Sequence, residues 1–261
     1  MAQRRIDTLL AERGLAGSRT RAAEAVRAGR VRVGPDGPVA LRPSQLVHDD
    51  ADLRVEGPPP FVSRGGVKLQ NALEALAIDV TGFDCLDVGA STGGFTDCLL
   101  QAGAARVIAL DVAYGQLDLR LREDERVSVV ERVNARAIEP ADLPFRPALA
   151  TADLSFISLV KVLPAIGRAL ASEGEVLALV KPQFELGRAR VGRGGVVRSP
   201  ADRRDALVAV GEGAREAGLG VLGFASSGLP GPKGNRETFI HCRLGAPGVD
   251  DVQAAAREVE P

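Results

Sequence analysis

The chain has 261 residues, of which 45% are hydrophobic and 26% charged, and its net charge is −1. That is ordinary globular composition, long enough for one large domain and a small companion. A near-zero charge excludes a global field for nucleic acid, so such contacts need local patches. With 3% aromatics and no Trp, broad base-stacking platforms are excluded as well. The three cysteines (Cys85, Cys98, Cys242) and two histidines (His48, His241) form no metal-ligand spacing. The cysteines read as small buried hydrophobes in a reducing, cytoplasmic compartment. No run approaches the ~20 apolar residues of a membrane span, and no apolar signal region opens the chain. The expectation is no metal and no membrane.

Residues 5–13 read as a short amphipathic helix, with Ile6, Leu9 and Leu10 on one face and Gly14 as its stop. Ser18 caps a second helix to about Ala28, with Ala22, Ala25 and Val26 inward. Arg30 to Gly34 alternates as a strand, and short strands follow near Leu46-Val47 and Leu53-Arg54-Val55. The first 32 residues carry eight arginines against three acids, several of them on the second helix. Gly57-Pro58-Pro59-Pro60 is a stiff linker. The expected division is a small domain over 1–57, a linker over 58–64, a large domain over 65–246 and a tail over 247–261.

A helix from about Val67 to Ala77 opens the large domain, with Leu69, Leu73 and Leu76 as its stripe. Strands then fall near 84–88, 106–111, 127–131, 148–154, 175–181, 220–225 and 238–244. The clearest helices between them are 158–171 and 201–217. This is α/β, a parallel doubly wound pattern with an antiparallel final pair.

The stretch from Asp84 to Thr96 reads as a buried strand, a glycine-rich turn and the start of a helix near Thr92. Gly93 and Gly94 leave room for a ligand or a neighbouring strand. Asp87 stands just before the turn, where it repels phosphate and suits a cationic ligand. S-adenosylmethionine, with an ammonium, a sulfonium and no phosphate, fits that preference. About two dozen residues on, a second apolar strand ends in Asp111, placed to accept the ribose hydroxyls of an adenosine. A plain α/β turn with a surface acid satisfies the same pattern.

Asp153 and Lys181 stand directly behind two further apolar strands. Of 33 basic residues only four are lysine: Lys68, Lys161, Lys181 and Lys233. In so arginine-rich a chain, lysine marks places where arginine does not serve. Arginine cannot become neutral, whereas a desolvated lysine can accept a proton. Whether a lysine here becomes neutral depends on its charged neighbours, which the residues alone do not fix. Residues 185–200 are glycine-rich and basic, read as a mobile flap over substrate or as an inert surface loop.

Three resemblances sharpen this. Arg5-Ile6-Asp7, Leu10, Ser18-Arg19, Ala22, Gly29 and Val31-x-Val33 resemble the small RNA-binding domain first seen in ribosomal protein four of the small subunit. That resemblance, with the segment before the large domain, implies RNA contacts from Arg4, Arg5, Arg19, Arg21 and Arg64. Lys68, Asp153, Lys181 and Glu237 together resemble the tetrad of RNA ribose 2′-O-methyltransferases. The segments Ser63-Arg64-Gly65-Gly66-x-Lys68-Leu69, Asp87 to Asp97, Lys181-Pro182-Gln183-Phe184-Glu185 and Gly234-Asn235-x-Glu237 resemble the TlyA family. Members of that family are described as ribosomal RNA cytidine 2′-O-methyltransferases and sometimes labelled haemolysins. The resemblance implies a seven-stranded methyltransferase sheet, S-adenosylmethionine as cofactor and ribosomal RNA or ribosomal subunits as partner. It implies Lys68, Asp153, Lys181 and Glu237 as catalytic residues. It implies donor binding by Asp87, Gly89, Ala90, Ser91, Gly93, Gly94, Phe95, Thr96, Asp111 and Asp153. Other readings are an RNA-binding assembly factor without turnover, a membrane-lytic protein and a nicotinamide enzyme. The intact tetrad, the lack of an amphipathic or apolar segment and Asp87, respectively, argue against them.

Overall fold

The computed structural model describes residues 3–260 apart from 36, 58, 59, 193 and 232. The chain divides into compact units Met1–Arg64 and Gly65–Pro261. Pro58 and Pro59 of the expected linker lie outside the described residues.

In the first unit, β1 (Gln3–Arg5) runs into α1 (Ile6–Glu12), and α2 (Arg19–Arg27), β2 (Val31–Val33), β3 (Leu46–His48) and β4 (Leu53–Val55) follow. β1 pairs antiparallel with β3, and β2 with β4. Ile6, Leu10, Val26 and Val31 are fully buried and form the centre of a small core. Ser18 accepts a hydrogen bond from Arg21 N at 3.1 Å and so caps α2, as its residue type dictates. β1 escapes a sequence reading because its three polar residues carry no apolar alternation; only pairing with β3 makes them a strand.

The second unit is built on a seven-stranded sheet. After α3 (Arg64–Ala75) come β5 (Asp84–Val88), α4 (Gly94–Gln101), β6 (Arg106–Asp111), α5 (Leu119–Arg122), β7 (Val127–Glu131) and β8 (Leu149–Ala152). Then follow α6 (Leu163–Ala169), β9 (Glu175–Val180), α7 (Pro182–Glu185), α8 (Pro200–Glu216), β10 (Leu219–Ser226), β11 (Thr238–Leu244) and α9 (Val252–Val259). The strand order is β10-β11-β9-β8-β5-β6-β7. β11 runs antiparallel to both its neighbours, β10 and β9, and the other six strands share one direction. Chain order reverses beside β5, which places the ligand crevice of such a sheet at its carboxyl end.

Several boundaries differ from expectation for local reasons. α4 begins at Gly94, not Thr92, because Gly93 takes φ 94° and Ser91 φ 49°, which no helix accommodates. The helix expected over 158–171 divides into a 3₁₀ turn (Leu159–Lys161) and α6, with Pro164 in the first turn of the latter. Residues 247–261, expected as a tail, contain α9, whose Val252 and Ala256 are buried in the main core. The Asp251 side chain caps that helix through Gln253 N and Ala254 N. Val252, Ala255, Ala256 and Val259 fall at i, i+3, i+4 and i+7 behind that cap, a helical signal the sequence does carry, and the helix packs against α8 and β10.

Candidate active site

The turn after β5 is held by the acid that precedes it. Asp87 is 1% exposed. Its Oδ2 accepts from Thr96 N at 2.9 Å and Thr96 Oγ1 at 2.7 Å, satisfying one of the free N–H groups at the start of α4. Its Oδ1 is buried with no hydrogen-bond partner among the described residues. Burial pushes this carboxyl up to about 7, against the lowering effect of Thr96. Gly89, at φ 86°, is where the backbone passes close to the neighbouring strand end: a Cβ there would stand 2.9 Å from the Asp153 carbonyl oxygen. Gly93 serves a different contact, since a Cβ would collide with Leu117 and Leu121. The left-handed φ of 94° already demands glycine there, and the leucines on and before α5 crowd the position further.

Of the residues expected at the cofactor, Ala90, Ser91 and Asp111 line an open cleft, together with Gln116, Leu117 and Glu131. Asp111 accepts from Ser91 N at 2.7 Å and from Ala113 N at 2.8 Å, so it fixes the glycine turn against the end of β6. Gly94, Phe95 and Thr96 do not line it: they are buried in α4, and the Phe95 ring lies 5.8 Å from that of Phe239. Gln116 and Glu131 escaped the sequence reading. Glu131 ends β7 as Asp111 ends β6, so the repeated strand-end acid is the signal that could have found it. Gln116 is a loop residue with no such mark.

The four tetrad positions converge on the same edge of the sheet. Asp153 follows β8, Lys181 follows β9, and Glu237 precedes the antiparallel β11, where Thr238 pairs with Val180. Asp153 N donates to Val88 O at 3.1 Å, which sets this acid beside the Gly89 turn. Lys181 Nζ stands 2.5 Å from Asp153 Oδ1, close but not aligned for a hydrogen bond, and donates to Ser155 Oγ at 3.2 Å. Lys68, on α3, pairs with Glu237; the two side chains are 9% and 1% exposed. Asn71, one turn further along α3, donates to Ser227 O at 2.9 Å and seats the helix against the loop that leads to Glu237. Each lysine therefore faces its own acid. Burying either partner alone would carry a heavy desolvation cost, and pairing offsets it.

Phe156, three residues beyond Asp153, is 91% exposed at φ 66°, its ring 5.3 Å from that of Phe184. A large exposed ring on strained backbone beside charged groups is a feature composition alone could not show. The cysteines are buried away from this edge, and desolvation pushes each thiol up to about 12. Among the described residues no cluster could hold a metal ion, and no helix is long and apolar enough to cross a membrane.

The stretch 185–200 is tied down more firmly than a free flap. Glu185 accepts from Ser158 Oγ and Leu159 N, and Arg190 pairs with Asp202 and Asp205. Asn235 accepts from Val197 N and donates to Gly195 O, both at 2.8 Å. In the first unit, Arg4 pairs with Glu12, Arg5 and Arg19 share Asp7, and Arg21 is exposed. Arg64 is the first residue of α3.

Comparison with known proteins accounts for both units. Residues 61–244 match the FtsJ-like methyltransferase model, and residues 4–52 match the S4 domain model. A relative from Mycobacterium tuberculosis named 16S/23S rRNA (cytidine-2′-O)-methyltransferase TlyA is 49% identical, covering 96% of both chains. One from Brachyspira hyodysenteriae named Hemolysin A is 36% identical, covering 91% of this chain and 98% of its own. A solved structure of a hemolysin-named protein from Streptococcus thermophilus superposes with a TM-score of 0.75 at 38% identity, over 99% of this chain and 96% of that one. The chain belongs to the TlyA family: a methyltransferase with an FtsJ-like catalytic domain behind an S4 domain.

Proposed function

We propose that this enzyme methylates the ribose 2′-hydroxyl of a cytidine in ribosomal RNA, with S-adenosylmethionine as donor. The observation that carries the reading is the pairing of Lys181 with Asp153, and of Lys68 with Glu237, at the strand ends beside the Gly89 turn. The donor supplies a methyl group already activated by its sulfonium. The residues present fit it: Asp87 Oδ1, without a partner among the described residues, suits its ammonium, and Asp111 beside the cleft suits its ribose hydroxyls.

A ribose hydroxyl is a weak nucleophile and gives up its proton as the new O–C bond forms and the donor's S–C bond breaks. Lys181 Nζ, once neutral, takes that proton. Asp153 and Ser155 Oγ hold the amine in place. Lys68 and Glu237, locked by their mutual pairing and by Asn71, form the wall against which the ribose is oriented. Most of the rate gain comes from this positioning. Phe156 offers an exposed face for an unstacked base. The first unit supplies phosphate contacts from Arg5, Arg19 and Arg21. The cytidine and the ribosomal RNA rest on the relatives' names, and a cytoplasmic location follows from such a substrate.

Mapping of alkali-resistant linkages in ribosomal RNA, with and without the enzyme, tests the reading, because 2′-O-methylation blocks cleavage on the 3′ side. The expected result is a new resistant position at a cytidine. A methylated nucleotide that alkali still cleaves would overturn it.

A further inference from the structure

Asp7 lies on the first turn of α1 with its side chain 4% exposed, and two guanidiniums converge on it. Arg5 binds it through two atoms, Nε to Oδ1 at 3.0 Å and Nη2 to Oδ2 at 2.7 Å. Arg19, at the start of α2, adds Nε to Oδ2 at 3.3 Å. Thr8 Oγ1 completes the set, donating to Oδ1 at 3.2 Å. The backbone under each partner is also fixed. Asp7 N donates to Pro43 O at 3.2 Å, Arg5 stands in β1 opposite Leu46, and Ser18 caps the helix that Arg19 begins. Yet the two arginine side chains remain 44% and 59% exposed. Asp7 takes the Nε side of each guanidinium. A phosphate is bound bidentately through another edge of the same planar group, so both contacts coexist.

We infer that Asp7 is a positioning residue for RNA binding: it mounts Arg5 and Arg19 at a fixed separation, ready to take two backbone phosphates. This rests on the reading that these arginines meet RNA and goes beyond it, since it assigns an acid a favourable part in binding a polyanion. Holding the long side chains before RNA arrives removes the ordering cost that free arginines incur on binding. With its carboxyl held down to about 2 by Arg5 and Arg19, Asp7 stays charged at any working pH.

Simple electrostatics predicts the opposite sign, which makes the test decisive. Asp7→Asn removes a negative charge from a basic surface, so Coulomb attraction alone tightens RNA binding. Positioning predicts that it weakens binding by roughly three- to ten-fold. The measurement is filter binding of the full chain to purified ribosomal subunits for the wild type, Asp7→Asn, Arg5→Ala/Arg19→Ala and the triple variant. Asp7→Asn is expected to weaken binding when both arginines are present and to have no further effect when both are absent. An equal loss in both backgrounds would mean general damage to the unit and would overturn the inference. So would unchanged or tighter binding by Asp7→Asn in the wild-type background. If the double arginine variant binds as the wild type does, the reading of these arginines as RNA contacts fails first, and the inference with it.

Discussion

Each unit buries an aspartate, and the two are held in opposite states. Asp7 of the small unit gives both oxygens to arginines, which hold its carboxyl down to about 2. Asp87 of the large unit gives one oxygen to Thr96, keeps Oδ1 without a partner among the described residues, and is pushed up to about 7 by burial. Both are shielded from solvent, but Asp87 lies deep in the large unit and Asp7 only under its two arginines, so depth and the supply of cations differ together. A buried acid with its cations built in acts as a mount. A buried acid without one suits a cation brought by a ligand. The sheet edge beside Asp87 shows a third arrangement, in which Lys68 and Lys181 are each matched to one acid.

The largest test removes half of a matched pair. Lys68→Met strands Glu237 in the interior and is expected to lower stability by ~3–5 kcal/mol in denaturant unfolding. Adding Glu237→Gln should recover much of that loss. A cost below ~1 kcal/mol would place the pair with ordinary surface bridges. Next, acid should act on the small unit. Its Asp7 titrates at about 2 in the fold against an ordinary 3.8, a difference of about 2 kcal/mol. The depressed value means that this stability is present above about pH 4 and lost as pH falls through about 2. Asp7→Asn should flatten the small unit's acid limb.

Asp87 titrates with the reverse sign. A raised value means the fold without donor loses stability as pH climbs from about 4 to about 7. Donor binding should strengthen over the upper part of that range, as the carboxylate forms to meet an ammonium. Calorimetry of Asp87→Asn should show roughly ten-fold weaker donor binding, with that pH dependence gone. Unchanged affinity would mean Asp87 only caps α4. The smallest effect belongs to Arg19→Ala: stability within ~0.5 kcal/mol of the wild type, and a salt slope for RNA binding shallower by ~0.7–0.9, the contribution of one phosphate contact.

Much of this was legible in the sequence, because strands buried on both faces announce themselves as apolar runs ending in a charge. Asp87, Asp111, Asp153 and Lys181 all stand at such ends. What was not legible depends on contacts distant in the chain. The leucines that crowd Gly93 beyond what its φ of 94° already demands, Leu117 and Leu121, lie on and before α5. The supposed flap is held at Val197 by a side chain 38 residues away. Lys68 is paired with Glu237, a match no spacing rule reveals.

The central claim is that Lys181 takes the ribose proton while the charges around it only hold it in place. Single-turnover methyl transfer by Lys181→Arg, with donor affinity measured on the same preparation, tests it most directly. Arginine keeps the charge opposite Asp153 but cannot become neutral. The account predicts a loss of about 10²–10⁴-fold in the transfer rate, with donor affinity within roughly three-fold of the wild type. Near-normal transfer by Lys181→Arg would contradict it and leave Lys181 a positioning charge.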